Sequence, residues 1–293
     1  MVFFSKRLQE FHQLVPIAGL CLADAVNAVG YVAAGIMRTN MYVTGTDDDT
    51  ETQTGCFFSA HVILFFIGYQ FTAITTCFLS VDCFVAVFFP DKHCQVTRRN
   101  KWFAIGCAGL WSIGMYVLAI IAMPMDSKLV LAAFCFLIDT LPSAFFDYLL
   151  GFRLVLITAS VILCIPIIYR MRVIFLDSAV FQQFAFRYNK FRKMTITVGI
   201  TALLALLLLV IPDVLMYFNI GGLKRFHVLF YLIGLNKCLA NVFVYTLRET
   251  ELRNAFVHYF RVLRGAATTV APGEPATVNA IQIKQRPEAT DRR

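Results

Sequence analysis

The sequence predicts an all-α protein embedded in a membrane: a bundle of six spans followed by a helix lying on the membrane surface. Three observations carry this reading. Apolar residues make up 59% of the chain and charged residues only 15%, where a soluble domain carries about 25% charged residues. The apolar residues fall in blocks of roughly twenty or more, the length a helix needs to cross ~30 Å of hydrocarbon. The charged residues collect between those blocks, and their sign alternates from one gap to the next.

The first block, Leu14 to Met37, follows Lys6 and Arg7 and ends without a small-residue cleavage site, so it reads as a retained signal-anchor span. The second, Cys56 to Pro90, is longer than a bilayer requires and is expected to tilt or to project beyond it. Its acid, Asp82, lies near one end and should meet water or a partner, because a carboxylate at mid-bilayer costs about 2.5–3.5 kcal/mol. The remaining spans are Trp102 to Met123, Leu149 to Tyr169, Met194 to Ile220 and Phe226 to Leu247. Residues 248–263 place Leu252, Phe256 and Phe260 on one helical face and arginines largely elsewhere, the pattern of a surface helix held by anionic lipid. Residues 1–263 thus form the membrane unit. Residues 264–293, polar with Pro and Gly, are expected to be a disordered cytoplasmic tail.

Charge orients the bundle. The gap from Arg38 to Gly55 sets Arg38 against Asp47, Asp48, Asp49 and Glu51. The next sets Lys92, Arg98, Arg99 and Lys101 against Asp91. The Pro124–Tyr148 gap is acidic again, and Arg170–Lys193 carries six basic residues against Asp177. Basic loops face the cytoplasm, so both termini are expected there; Lys224 and Arg225, in a short outer loop, dissent. The net charge of +8 has the same origin, and no nucleic-acid partner is expected. Of nine cysteines only Cys56 and Cys135 fall on the oxidising outer side, and topology alone predicts a disulfide between them, with two free outer thiols as the alternative. No sequence matches Asn-x-Ser/Thr, a Gly-rich phosphate loop, His-Glu-x-x-His or Cys-x-x-Cys, and the five histidines are not spaced as metal ligands. Neither an enzyme nor a cofactor or metal site is expected.

Several stretches resemble rhodopsin-like G-protein-coupled receptors, in particular the nematode serpentine chemoreceptors of the SX class. Cys56, then Ser80-Val-Asp82-Cys83-Phe84 ahead of Pro90, is similar to the family's third helix, which ends in Asp-Arg-Tyr. Leu22-Ala-Asp24 with Asn27 and Gly30 resembles its second helix, Trp111 its fourth-helix tryptophan, and Val210-Ile-Pro212 its sixth-helix kink. Asn241-Val-Phe-Val-Tyr245 resembles Asn-Pro-x-x-Tyr, and residues 246–256 resemble the surface helix that follows it. The six blocks thus correspond to helices two to seven, with the first helix of the family's seven lacking. Cys83 stands where the motif has arginine and cannot form its charge-assisted pair. Val242 stands where it has proline, which weakens the helical break.

The resemblance implies a chemosensory receptor of the plasma membrane that takes a small-molecule or peptide-like ligand from outside and signals to a heterotrimeric G protein. It places the G-protein face at Asp82, Cys83, Phe84, Tyr169 and Tyr245, although tyrosines at span ends also anchor at the interface. It places a sodium-site-like polar core at Asp24, Thr72, Lys237 and Asn241. Lys237 lies four residues before Asn241 on one helical face, so its ammonium is expected to pair with Asp24 in place of sodium; the alternative is a lysine reaching a water-filled cavity. The ligand pocket is expected at Phe65, Tyr69, Asp213 and Tyr231, with a packing or lipid-facing position as the alternative for each aromatic. Asp213 would anchor a polar or cationic group there, or be satisfied within its own helix or by Asn219. A six-span transporter or channel stays open, against the absence of an internal repeat and of a charge ring. So does a non-signalling form that pairs with a second copy or another membrane protein along the groove between the first and last spans.

Overall fold

A computed structural model describes residues 14–46, 50–122, 130–132, 135–176, 195–219, 222, 226–248, 253 and 257. Apart from Val257 these belong to the first of two compact units, Met1–Ala255, the second being Phe256–Arg293. The expected surface helix over 248–263 and tail over 264–293 lie almost wholly outside the described residues, as does most of the basic Arg170–Lys193 segment.

The chain order is α1 (Leu14–Thr44), β1 (Thr50–Thr52), α2 (Gln53–Phe57), α3 (Ala60–Phe88), α4 (Pro90–Gln95), α5 (Arg98–Ala122), β2 (Val130–Ala132), α6 (Leu137–Thr140), α7 (Ser143–Leu176), α8 (Thr195–Tyr217) and α9 (His227–Arg248). Five of these, α1, α3, α5, α7 and α8, are long and apolar enough to cross a membrane. α9 is helical along its 22 residues, but its apolar stretch is the shorter Leu232–Leu247. Asn236, Lys237 and Asn241 interrupt what the sequence suggests as a sixth span.

α3 is the hub, packed against α1, α5 and α7. Half of its apolar window is buried inside the protein, against 28–39% for the other four long helices, so α3 turns more of its circumference toward protein than they do. Small and hydroxylated residues make that possible. The Thr75 and Thr76 hydroxyls each donate to a backbone carbonyl one turn back, at 2.7 Å. These two hydroxyls are thereby satisfied where water is excluded. Gly68 lets α1 approach closely enough for Asn27 to lie where a Cβ would be.

The long second block divides. Cys56 belongs to the short α2, and Ser59, extended at φ −65° and ψ 135°, starts α3. At the other end Pro90 opens α4, where a missing N–H is harmless. In α8 the residues before Pro212 adopt a π-helical turn, Leu206–Val210, with the Ile211 N–H donating to Leu206. Proline has no amide hydrogen and clashes with the carbonyl four residues back, and the wider turn accommodates it. The sequence predicts this kink. Pro166, by contrast, lies inside an uninterrupted α7.

The end of the bundle that carries the disulfide holds the exception to an all-α fold. β1 pairs antiparallel with β2, Glu51 opposite Leu131. Three-residue strands show no readable alternation in sequence; here the nearby cross-link holds the two segments together. Cys56 and Cys135 are bonded, with Cα atoms 5.0 Å apart. Gln53 donates to the Thr140 carbonyl at 3.0 Å, and a His61 ring nitrogen lies 3.2 Å from the Cys135 carbonyl. Phe57 stacks on Tyr116 of α5, centroids 5.0 Å apart.

Candidate functional site

Among the described residues three ion pairs cross the bundle, two of them buried and the third part-buried. Each joins two different helices, and each matters energetically because an unpaired charge in a membrane interior is costly.

The first joins α1 and α9. Lys237 Nζ donates to Asp24 Oδ1, and Asn241 Nδ2 donates to Asp24 Oδ2 at 2.7 Å. Lys237 and Asn241 occupy one face because they are a turn apart. All three side chains are buried. Thr72, expected in the same group, bonds elsewhere: its hydroxyl accepts from Asn27 Nδ2 at 2.9 Å. Asn27 lies three residues after Asp24 on the same side of α1, so Thr72 adjoins the pair through α1 and does not touch it. A sodium ion at Asp24 would meet the lysine ammonium on the same oxygen, so these residues do not fit one.

The second lies at the end opposite the disulfide. Lys101 of α5 bonds both oxygens of Asp82, at 2.7 and 2.8 Å, and His93 of α4 approaches Asp82 at 3.4 Å and Lys101 at 3.2 Å. Sequence reading counts Lys101 as a loop charge; it is buried beneath α4. The position next to Asp82 offers no cation, and the neighbouring helix supplies one.

The other residues expected to make a surface here behave differently. Cys83 and Tyr245 are buried in one apolar cluster with Ile17, Leu79, Cys164 and Val198. Phe84 packs against its edge and stacks on Phe88, centroids 4.5 Å apart. Tyr169 is 71% exposed while Tyr245 is 2% exposed. The reason is helical phase: Cys164, Ile167 and Met171 form the inward stripe of α7, and Tyr169 falls outside it. The expected five-residue face is therefore not one surface.

The third pair lines a cavity. Arg153 Nη2 of α7 donates to Asp213 Oδ2 of α8, and the guanidinium lies over the Tyr69 ring, 5.0 Å from its centroid. The Tyr69 and Tyr31 hydroxyls are 3.0 Å apart. Around these groups, at the disulfide end, is a cavity open to solvent, with an enclosed volume of about 40 Å³ and about 590 Å³ when the open space at its mouth is counted. α1, α3, α7, α8 and α9 contribute its walls, and Phe136, Leu137 and Ile138, next to the disulfide, reach over it. Pro212, Asp213 and Met216 place the turn beyond the π-helical segment directly on the cavity.

Of the residues expected to form a pocket, Tyr69 and Asp213 line this cavity. Asp213 bonds neither its own helix nor Asn219 but Arg153. Phe65 is buried behind the wall, stacked on Tyr69 at 5.5 Å and edge-on to Tyr31 at 4.7 Å. It props the tyrosines and is not a lining residue. Tyr231 lies in α9 with its side chain outside the described residues; Phe230 and Gly234 of that helix line the cavity. Gly234 leaves room for the Tyr31 hydroxyl, which a Cβ there would displace. Arg153 and Tyr31 escape sequence reading. The available signal for Arg153 is an arginine inside an apolar run, which by default seeks a partner in the bundle.

No protein-family model matches this chain, and no curated protein matches it.

Proposed function

We propose that this protein is a chemosensory receptor of the rhodopsin-like, G-protein-coupled type, with six spans in the plasma membrane and both termini in the cytoplasm. The observation that carries the reading is the cavity at the disulfide end, walled by five helices and containing the Arg153–Asp213 pair. Few polar groups converge in an otherwise apolar and aromatic lining, which is the composition of a site for a small molecule. The disulfide and the described residues of the acidic 38–55 segment, 38–46 and 50–55, lie at that same end, as on an extracellular face.

Signalling follows from where the cavity sits. A ligand there touches α8 at Pro212 and Asp213, immediately after a π-helical turn, where a helix bends most readily. α8 continues to Val198 in the apolar cluster around Cys83 and Tyr245 at the far end. A ligand that binds one bend of α8 better than another shifts the balance between two states of that cluster. Lys101, paired with Asp82, holds the resting state in place of the arginine that the Asp-Arg-Tyr motif would supply.

Ligand-dependent nucleotide exchange on a heterotrimeric G protein, measured with the full chain in lipid nanodiscs, tests the reading. Exchange that disappears in Asp213→Asn is the expected result. Solute uptake or ionic current in proteoliposomes, without exchange, would overturn it in favour of a transporter or channel.

A further inference from the structure

We infer that the cavity binds a small zwitterion of amino-acid type, its carboxylate on Arg153, its ammonium on Asp213 and its apolar body against Leu208, Met216 and Phe230. The inference rests on the cavity being the ligand site and adds the class of ligand.

Charge balance rules out singly charged ligands, and the paired charges favour a zwitterion. Arg153 is 6% exposed, and together with Asp213 it forms a neutral unit inside an apolar wall. A ligand carrying only a carboxylate would put two anions beside one guanidinium. A ligand carrying only an ammonium would put two cations beside one carboxylate. Either leaves a net charge where charge is poorly solvated. A zwitterion keeps the sum at zero and turns one ion pair into a four-charge ring, in which each charge has opposite neighbours.

The donors point the same way. Arg153 carries five N–H donors. Nη2 bonds Asp213, while Nε is buried without a hydrogen-bond partner. An unsatisfied donor on a residue that lines a cavity marks a place for an acceptor. Tyr69 holds the guanidinium by its face, 5.0 Å from the ring centroid, which leaves the planar edge for a carboxylate. The carboxylate of Asp213, with 17% of its side chain exposed against 7% for Arg153, is the more open half of the pair and the one an ammonium reaches first.

The test uses the purified full chain in nanodiscs and equilibrium dialysis with matched probes. These are the apolar L-amino acids from alanine to phenylalanine and, for the best binder, its decarboxylated amine and its deaminated acid. At least one amino acid is expected to bind saturably, ten-fold or more tighter than either single-charge analogue. That preference should fall to less than two-fold in Arg153→Gln with Asp213→Asn. Should that variant not fold, Met216→Trp, which fills the cavity from α8, should weaken the amino acid and both analogues alike. No saturable binding by any amino acid overturns the inference, as does an amine or acid that binds as tightly as its parent. Binding by an analogue alone would leave the cavity standing as a ligand site and remove only the zwitterion. Amino-acid binding without nucleotide exchange would leave the zwitterion and remove the receptor.

Discussion

The Asp24–Lys237 and Arg153–Asp213 pairs use the same chemistry in opposite settings. At Asp24 both carboxylate oxygens are taken, and neither Asp24, Lys237 nor Asn241 lines the cavity described above. At Asp213 one guanidinium nitrogen is engaged and the pair borders open space. A buried pair whose carboxylate is bonded at both oxygens ties α1 to α9 and contributes structure. A pair beside a cavity, with donors to spare, contributes recognition. Burial of a charge therefore does not by itself identify a functional site; what the unsatisfied side of the charge faces does.

The contrast can be broken most sharply at the enclosed pair. Lys237→Met leaves the Asp24 carboxylate with only the neutral Asn241 donor and should lose about 3–5 kcal/mol of stability. Adding Asp24→Asn should recover most of that loss, since replacing both partners removes the orphaned charge. Thermal unfolding in detergent, followed by the reaction of buried Cys238 with a thiol dye, measures both; equal melting of the single and double variants would show that the pair is not a restraint.

Opening the disulfide by Cys56→Ser with Cys135→Ser should cost about 2–4 kcal/mol. Limited proteolysis should then cut first at the β1–β2 ribbon, which the cross-link holds. Lys101→Met should cost less than Lys237→Met, because His93 remains beside Asp82; the same thiol-dye melt, read at Cys83, ranks the two. At the cavity, Arg153→Gln with Asp213→Asn should change stability by only about 1 kcal/mol, since exchanging a whole buried pair is often near neutral. A loss as large as that of Lys237→Met would make this pair structural too and erase the distinction. Smallest of all, Thr52→Ala removes the side-chain acceptor for the Gly55 N–H and should cost about 0.5–1 kcal/mol, visible as faster hydrogen exchange in α2.

By itself the sequence determined the helical membrane class, the outlines of the long helices, the irregularity before Pro212, and which acids needed partners. These are consequences of local chemistry: apolar length against bilayer thickness, a proline without an amide hydrogen, a carboxylate in an apolar run. Spacing on α9 also brought Lys237 and Asn241 to one side, where Asp24 meets them. Tertiary structure alone decided the rest. Whether Asp213 meets Arg153, whether Lys101 turns inward to Asp82, and whether Tyr169 faces out while Tyr245 faces in depend on the rotation and depth of one helix against another. Those are set by packing around α3, and a helix's own residues specify which side is apolar without specifying what stands across from it.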